Sequence, residues 1–424
     1  MPLATVSPAP PLSALTGRQI AWILGGALMT MATMPGQTVF IAQFNTALRG
    51  EFGLSHGEFG GLYTLATLLS ASGLVFAGSL ADRLPLRRLS VACLLGLAAT
   101  TLLMAQVGNI PLLILALAAL RFFGQGMLSH VALTAMARWF NRFRGRALSL
   151  AGLGFTLGEA MLPLGLTLAI GAWGWRSVWA GTGLVLVVAV LPLLLLLLRD
   201  APDGRRARAA GHVNPDALPA DQATGAGWTR PQVLRDPLFW GLLPGIMGPP
   251  AIGTLLIFHQ AHLAALKGWD LTTFTTFYPV LSAAVVTASL GAGALVDRFG
   301  AWRLLPFVLM PLTAACLTAA LLQPVWAIPL LLACLGLSTG LVNPVTGALW
   351  AELYGTAHLG AIRALVTAAL VAASALGPGL AGLLIDLGPD LDRQAWGYAG
   401  WCLLWVLLYL ALRPVLRRRT ARLG

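Results

Sequence analysis

The chain has 424 residues, of which 58% are hydrophobic and only 10% are charged, and its formal net charge is +12 at pH 7. A water-soluble domain carries about 25% charged residues, so this composition excludes an ordinary soluble fold. The positive charge does not indicate nucleic-acid binding, because the basic residues lie in short clusters between long apolar runs. We therefore expect a membrane protein that is surrounded by the lipid bilayer and binds no nucleic acid.

Twelve apolar runs are long enough to cross a bilayer, which takes about 20 residues of helix. In chain order they cover residues 19–44, 57–81, 88–108, 111–136, 147–171, 177–198, 237–263, 273–296, 303–322, 326–351, 360–385 and 396–413. A stretch rich in Pro, Gly, Ala and Arg separates the sixth run from the seventh. The pattern predicts an all-α membrane protein with 12 transmembrane helices: a six-helix bundle in residues 1–199, a cytoplasmic linker in 200–236 and a second six-helix bundle in 237–424.

The basic residues set the predicted orientation. With the N-terminus in the cytoplasm, 22 of the 27 basic residues fall in cytoplasmic segments, four fall outside, and Arg121 lies inside the fourth span. Cytoplasmic loops of membrane proteins carry the excess of Lys and Arg. We therefore expect a multi-pass protein of a bacterial inner (plasma) membrane, with both termini in the cytoplasm.

The two halves of the chain repeat each other. A shift of 215 positions places Phe59 on Phe274 and Asp82 on Asp297. Because each half has six spans, both halves have the same orientation. This indicates a parallel duplication, which is one of the repeat arrangements of secondary transporters.

The repeated loop reads GSLADRLPLRR in residues 78–88 and GALVDRFGAWR in residues 293–303. Both copies resemble the loop motif of the major facilitator superfamily, G-x-L-x-D-R-x-G-x-x-R, although the first has Pro85 in place of the family's glycine. The resemblance covers the whole chain in span count, repeat and orientation. It implies the fold of that superfamily, in which two six-helix bundles are related by pseudo-two-fold symmetry, and it implies transport by alternating access.

The motif also has a physical interpretation. A carboxylate on a short cytoplasmic turn can cap a neighbouring helix or pair with an arginine in one state of a transport cycle, and it then biases the two states. The alternative is a set of solvated charges that only fixes topology. The candidate gating residues are Asp82, Arg83, Arg88, Asp297, Arg298 and Arg303.

Two ionisable residues are predicted deep in the bilayer, Arg121 in the fourth span and Glu159 in the fifth. At 1.5 Å per residue, Arg121 lies about 15 Å from the outer end of its span and Glu159 about 18 Å from the inner end of its own, so we expect similar depths. A charge at mid-bilayer costs about 2.5–3.5 kcal/mol, so each needs a partner or a function. Two interpretations stay open: a structural ion pair, or an anion-binding Arg121 with Glu159 and Arg121 as the proton-coupling residues.

The segment RFFGQG, which begins at Arg121, resembles the family's fourth-helix motif R-x-x-Q-G with the Gln-Gly pair displaced by one residue. In that family the arginine is associated with proton coupling or substrate binding, and the first, fourth, seventh and tenth helices line a central cavity. For each amide on these helices, an interhelical hydrogen bond is the alternative to a substrate contact. The candidate substrate-binding residues are Arg121, Gln37, Gln125, His259, Gln260 and Asn343.

The substrate class follows from two features. Residues 138–146, RWFNRFRGR, form a basic connector that looks like the loop common in monocarboxylate- and oxalate-type facilitators. One buried arginine among amides, with no carboxylate in the first span, favours a small organic anion as substrate and H+ as a candidate co-substrate. Two alternatives stay open: efflux of drugs and other amphipathic compounds, and a solute sensor that keeps the fold without transporting.

The sequence does not indicate an enzyme, because it contains no H-E-x-x-H and no G-x-x-x-x-G-K-[ST] motif. Its four cysteines lie inside apolar runs without metal-ligand spacing. We therefore expect no cofactor and no metal site, and we expect the protein to act as a monomer.

Overall fold

The computed structural model describes residues 15–140, 144–202 and 227–420, and every regular element in these residues is a helix. Arg142 and most of the predicted linker, residues 203–226, lie outside the described residues. The helices of the first half are α1 (Gly17–Ala32), α2 (His56–Arg83), α3 (Leu86–Ala105), α4 (Ile110–Trp139), α5 (Arg144–Trp173) and α6 (Trp175–Leu197). Those of the second half are α7 (Pro237–Phe258), α8 (Leu271–Phe299), α9 (Ala301–Leu321), α10 (Ala327–Tyr354), α11 (Leu359–Asp386), α12 (Leu391–Ala411) and the short α13 (Arg413–Thr420). The predicted all-α class is confirmed.

The number of spans is close to the prediction. Within the described residues ten helices, α2 to α11, are long and apolar enough to cross a membrane, and the pair α12 and α13, bent by 52°, makes an eleventh. The first predicted span is a broken helix. It consists of the 16-residue α1, the 3₁₀ turn Met34–Gly36 and short helical pieces that end at Phe52. Pro35 interrupts it, because proline has no backbone N–H to donate to the preceding turn.

The seventh span breaks at a different place from the one that its prolines indicate. The sequence predicts a break at Pro249-Pro250, but α7 continues through both residues. Helical geometry is lost only at His259, whose ψ is 20°, before a short helix, Gln260–Lys267, follows. Proline is tolerated inside a membrane helix where neighbouring groups satisfy the carbonyls that it leaves free. The geometry therefore places His259 and Gln260 at a helix junction.

Contacts between residues divide the chain into two compact units. The first consists of Met1–Gln37, Leu69–Gly158 and Gly174–Ala217. The second consists of Thr38–Leu68, Glu159–Trp173 and Leu218–Gly424. Two segments of the first sequence half, Thr38–Leu68 and Glu159–Trp173, thus pack with the second half. The division by contacts is a separate property from the predicted division by duplication into residues 1–199 and 237–424, which stays a prediction.

Close helix packing in the second unit depends on small residues. A Cβ atom at Gly336 would lie 2.4 Å from the carbonyl oxygen of Leu281, and one at Gly340 would lie 2.4 Å from that of Val285. The two glycines are four residues apart, so they lie on one face of α10 and let its backbone touch α8 directly. This is the small-xxx-small arrangement that brings membrane helices together where no hydrophobic effect drives them.

Gly340→Ala is expected to lower the free energy of unfolding by about 1–3 kcal/mol, because the added methyl group forces α8 and α10 apart. Gly347→Ala on the same helix is the matched control, since its new Cβ would meet only the Arg363 guanidinium, at 3.9 Å. Thermal unfolding of the detergent-purified variants measures both effects. Equal unfolding temperatures for the two variants would contradict this packing.

Candidate functional site

Arg121 lies where the fourth helix changes its winding. α4 is α-helical over Ile110–Leu120, π-helical over Arg121–Leu128 and α-helical again over Ser129–Trp139. The arginine side chain is buried, with a relative exposure of 2%. π-Helical turns are rare and occur frequently at functional sites. The helix geometry of α4 and the buried charge therefore both indicate Arg121 as a candidate functional residue.

The π-helical segment also accounts for the displaced Gln-Gly pair. A π turn closes i→i+5 hydrogen bonds, so it holds about one residue more than an α turn. The one additional residue between Arg121 and Gln125, relative to the family motif, lies within this segment. The Gln125 side chain itself is exposed.

Two glycines bring the break in the first span against the π-helical segment. A Cβ atom at Gly36 would lie 2.3 Å from the Leu120 carbonyl oxygen, and one at Gly124 would lie 2.9 Å from Gly36 Cα. The two backbones touch with no side chain between them, so both positions require glycine. Arg121 Nη1 donates to the Gly36 carbonyl oxygen at 3.4 Å. The broken helix thus supplies an acceptor to the buried guanidinium.

Gln37 is the residue after Gly36 in the sequence, and its side chain is buried, with an exposure of 7%. Its Nε2 donates to Thr33 Oγ1 at 3.2 Å, and Thr33 Oγ1 donates to the Thr30 carbonyl oxygen at 2.6 Å. These bonds hold the amide beside the break. The substrate-binding role of Gln37 and the pairing of Arg121 with Glu159 stay predictions.

A polar cluster of Gln43, Thr167, Gln260 and Tyr278 lies in the second unit. Thr167 Oγ1 donates to Gln43 Oε1 at 3.2 Å, and the Tyr278 hydroxyl donates to Gln260 Oε1. Gln43 and Glu159 both lie close enough to the Tyr278 hydroxyl to influence it electrostatically. Within the described residues, the buried Nε2 of Gln260 has no acceptor. The cluster therefore brings the predicted residues Gln260 and Glu159 into one neighbourhood and contains an unsatisfied donor.

The two remaining substrate candidates differ in their surroundings. His259 is buried, and its Nε2 lies 2.9 Å from the carbonyl oxygen of Pro378, so this ring joins α7 to α11. Asn343 on α10 is exposed. Their roles in substrate binding stay predictions.

The second unit also contains what we call the outer seam, the contacts of residues 55–64 with residues 258–262 and 375–390. Asp386, the last residue of α11, accepts hydrogen bonds from Ser55 Oγ at 2.6 Å, His56 N at 3.1 Å and Gly57 N at 2.7 Å. The carboxylate therefore caps the N-terminus of α2, where the helix dipole favours a negative charge. By the predicted orientation, the seam is on the outer side of the membrane.

Backbones touch directly along this seam. A Cβ atom at Gly382 would lie 2.3 Å from the His56 carbonyl oxygen, and one at Gly60 would lie 2.5 Å from the Pro378 carbonyl oxygen. No side chain separates α2 from α11 at either point. The seam is therefore a close contact that leaves no room for a methyl group.

Three histidines lie at the seam. The ring centroids of His56 and His262 are 4.3 Å apart, and those of His56 and His259 are 5.7 Å apart. His262 Nε2 lies 3.4 Å from Asp390 Oδ1. The histidines and carboxylates thus form one polar group at the ends of α2, α7 and α11.

Sequence reasoning missed the seam, although one local signal was present. Ser55 and Glu58 have the S-x-x-E spacing of a capping box, and both of its bonds form, at 2.8 and 3.1 Å. That spacing marks the start of α2. It does not reveal Asp386, because the two segments are far apart in the sequence.

In the first copy of the repeated loop, the aspartate of the motif, Asp82, has an ionic partner. Arg138, near the end of α4, forms an ion pair with Asp82 and donates to the Ala81 carbonyl oxygen at 2.7 Å. Arg83 and Arg88 are exposed. The loop is therefore tied to α4 through Asp82, one of the predicted gating residues.

The second copy is held differently. Glu352, near the end of α10, accepts hydrogen bonds from Ala301 N at 2.7 Å and Trp302 N at 3.2 Å, and so caps α9. The Arg303 guanidinium lies 4.9 Å from the centroid of the Trp302 ring. The exposed members of this copy include Asp297 and Arg298.

The turns of the two copies differ as well. Gly300 has a φ of 81°, which favours glycine, whereas Pro85 at the matching position has a φ of −58°. The repeat in sequence therefore does not extend to the turn or to its hydrogen bonds.

Comparison with known families gives one match over most of the chain. The sequence profile of the Major Facilitator Superfamily matches residues 26–333. The structure is similar to that of a bacterial homolog of the human lysosomal transporter Spinster in an inward-facing, unoccupied conformation, with a TM-score of 0.68, 17% identity and coverage of 97% of this chain and 98% of that one. It is also similar to the nucleoside transporter NupG, with a TM-score of 0.69, 12% identity and coverage of 94% and 99%. At these identities the likeness concerns the fold, and the predicted fold is confirmed.

Curated relatives match a shorter part of the chain. The Multidrug resistance protein B homolog of Mycobacterium tuberculosis, recorded from two strains, is 30% identical over 167 residues, which are 39% of this chain and 29% of the relative. The match thus spans less than a third of the length of these relatives.

Asp386→Ala is expected to loosen the outer seam, because a charged acceptor of hydrogen bonds contributes about 1.5 kcal/mol or more. Backbone amide exchange over residues 55–64 should then become at least about tenfold faster. Hydrogen–deuterium exchange with mass spectrometry measures this rate.

Asp270→Ala is the matched control for this change. Asp270 caps the first turn of α8 by accepting from Thr273 N at 2.8 Å, within one segment of the chain. Its loss should speed exchange only near residues 271–276. An unchanged rate over residues 55–64 in Asp386→Ala would show that the seam does not depend on this carboxylate.

Proposed function

The chain belongs to the Major Facilitator Superfamily, and from that premise we propose that it moves a small organic anion, of the monocarboxylate type, across a bacterial inner membrane by alternating access. H+ is the proposed co-substrate. The transporter acts as a monomer, with both termini in the cytoplasm. The transport class rests on the family; the substrate class rests on the site.

The observation that carries the substrate class is the burial of Arg121 at the start of the π-helical segment, with 2% of its side chain exposed. A guanidinium presents five donors in a planar fork, so it holds a carboxylate through two parallel bonds. Arg121 Nη1 also bonds the Gly36 carbonyl oxygen, which fixes the fork beside the broken first span. A small anion is the ligand that this charge attracts most strongly.

Amides complete the proposed substrate site. The buried Nε2 of Gln260 has no acceptor among the described residues, and an unsatisfied buried donor costs about 1–3 kcal/mol. A carboxylate or hydroxyl oxygen of the substrate would satisfy it. Gln37, Gln125, His259 and Asn343 are the further proposed contacts.

Glu159 is the proposed proton carrier, together with Arg121. The carboxyl group lies on α5 close to the Tyr278 hydroxyl of the polar cluster. A carboxylate inside a membrane span is costly unless it is paired, protonated or functional. Gain and loss of one proton at Glu159 would couple the proton gradient to the movement of the anion.

Alternating access requires each face of the protein to open in turn. We assign the outer seam to the contacts that must part for outward opening. On the cytoplasmic side, the pair of Asp82 with Arg138 ties the first loop to α4, and it is the proposed element that biases the cycle. The other proposed gating residues are Arg83, Arg88, Asp297, Arg298 and Arg303.

Counterflow in proteoliposomes tests the substrate class. The wild-type protein should exchange small carboxylates and should not exchange matched amides or lipophilic cations. Arg121→Gln should weaken carboxylate uptake by about 10- to 100-fold, because a charge-assisted hydrogen bond contributes about 1.5–3 kcal/mol. Arg121→Lys keeps the charge but loses the fork, so it should fall between the two.

The thermal unfolding temperature of each variant separates binding from folding. A variant that unfolds like the wild type but transports poorly has lost a substrate contact. Carboxylate transport at the wild-type rate in Arg121→Gln would remove Arg121 from the site and overturn the anion assignment.

Efflux of amphipathic compounds is the second candidate, because the partial relative in Mycobacterium tuberculosis is named a multidrug resistance protein. Expression in a drug-sensitive host discriminates between the two. Increased resistance to lipophilic cations, retained in Arg121→Gln, would favour efflux.

The gating proposal is tested by exchanging charges. Asp82→Asn should slow transport severalfold. The double variant Asp82→Arg with Arg138→Asp should transport faster than either of these two changes alone, because a direct pair gives a coupling term in the double-mutant cycle. Asp200→Asn is the control, since Asp200 forms another exposed pair, with Arg18 at 4.0 Å. Additive effects of the two changes would contradict direct coupling.

A further inference from the structure

A groove of about 1260 Å³ lies along the second unit between α8, α9, α10 and α13. It shares no residue with the buried polar cluster. Its walls are largely apolar and include Leu295, Phe299, Phe307, Met310, Leu337 and Leu341. Phe307 and Met310 are 49% and 51% exposed, so the groove is open along its side.

Small residues of α8 form the floor of the groove. Ala288, Gly291 and Ala292 line it, and a Cβ atom built at Gly291 would meet no other atom within 4 Å. The space beside α8 is therefore a real depression between helices.

One end of the groove is basic. The guanidinium-bearing residues that line it are Arg303, Arg413, Arg417 and Arg418. Within the described part of the chain none of the four forms an ion pair, and the enclosed Nε of Arg413 has no hydrogen-bond acceptor. Four cations thus line this end of the groove, and no anion among the described residues pairs with them.

A neighbouring arginine holds this mouth in place. Arg419 pairs with the buried Asp236 at 2.6 Å and lies 4.3 Å from the centroid of the Trp228 ring. Leu416 on the same short helix is fully buried. α13 is therefore anchored on both sides, and its remaining arginines are presented at a fixed position.

The basic end and the apolar walls of the groove correspond to the headgroup and hydrocarbon regions of a membrane leaflet. Arg303 is at the predicted cytoplasmic end of α9, and Met310 is seven residues further along, which is about 10 Å into the hydrocarbon region. Basic pockets between membrane helices on the cytoplasmic side bind anionic lipid headgroups. An apolar channel that leads away from such a pocket accommodates an acyl chain.

We propose that this groove binds an anionic diacyl phospholipid of the cytoplasmic leaflet. The phosphate lies among Arg303, Arg413, Arg417 and Arg418, and one acyl chain runs over Gly291 between Phe307 and Leu337. A zwitterionic lipid fits less well, because its ammonium group would be brought close to the same arginines. The assignment is independent of the transported substrate.

Lipid binding to the purified full-length protein tests the proposal. Native mass spectrometry and thermal unfolding should show binding and stabilisation by phosphatidylglycerol or cardiolipin, and much less by phosphatidylcholine with the same acyl chains. Arg413→Gln with Arg417→Gln and Arg418→Gln should weaken phosphatidylglycerol binding by about 100-fold, since each basic residue near an anionic lipid contributes about a factor of five. The control removes three exposed cytoplasmic-side charges elsewhere, by Arg144→Gln, Arg230→Gln and Arg235→Gln, and should retain binding.

A second variant tests the acyl channel without touching the charges. Gly291→Phe fills the floor of the groove and should abolish the stabilisation by phosphatidylglycerol. Gly400→Phe adds the same ring to an exposed face of α12 that is equally open, and should have no such effect. Inorganic phosphate alone should not stabilise the wild type.

Three results would overturn the proposal. The first is equal stabilisation by phosphatidylcholine and phosphatidylglycerol. The second is unchanged lipid binding in both the triple arginine variant and Gly291→Phe. The third is full stabilisation by inorganic phosphate, which would mean an anion site without a lipid.

Discussion

A bilayer core offers no water to a backbone that leaves helical geometry, and the rest of this structure depends on that constraint. Each break in a helix has to find its hydrogen-bond partners inside the protein. At the break after Thr33, the Gly36 carbonyl accepts from Arg121. At the junction after α7, the Phe258 carbonyl oxygen accepts from the side-chain amide of Asn45 at 3.0 Å. Irregular backbone and buried polar side chains therefore occur together at both of these breaks.

The two halves of the sequence are similar in span pattern and different in detail. The first half has a span that is broken near its middle and a π-helical turn opposite it. In the second half, α7 stays helical through its prolines and loses helical geometry only at its end. The loops have also diverged, because Asp82 bonds an arginine whereas Glu352 caps a helix. The buried Arg121 lies in the first half, whereas Gln260 and Tyr278 lie in the second.

The features that the sequence predicts are those that depend on local patterns of residues. Apolar runs predict the spans, charge asymmetry predicts the orientation, and the loop motif predicts the family, because each is a pattern of residues close together in the chain. The displaced Gln-Gly pair was visible in the sequence, but the π-helical segment that contains it was not, because no local pattern marks a π turn. The Asp386 cap and the polar cluster were not predictable for a related reason. They join segments far apart in sequence, and no periodicity records such a contact.

The backbone contact along the outer seam has a practical consequence. Gly382 and Gly60 touch carbonyl oxygens of neighbouring helices with less than one methyl group of clearance. An alanine at either position acts as a wedge: it fits only after the two helices have separated. By the proposed assignment of the seam, one added carbon atom favours the arrangement in which the two helices are apart. A variant held in that arrangement is a suitable starting point for selecting antibodies or inhibitors that recognise one state of the transporter.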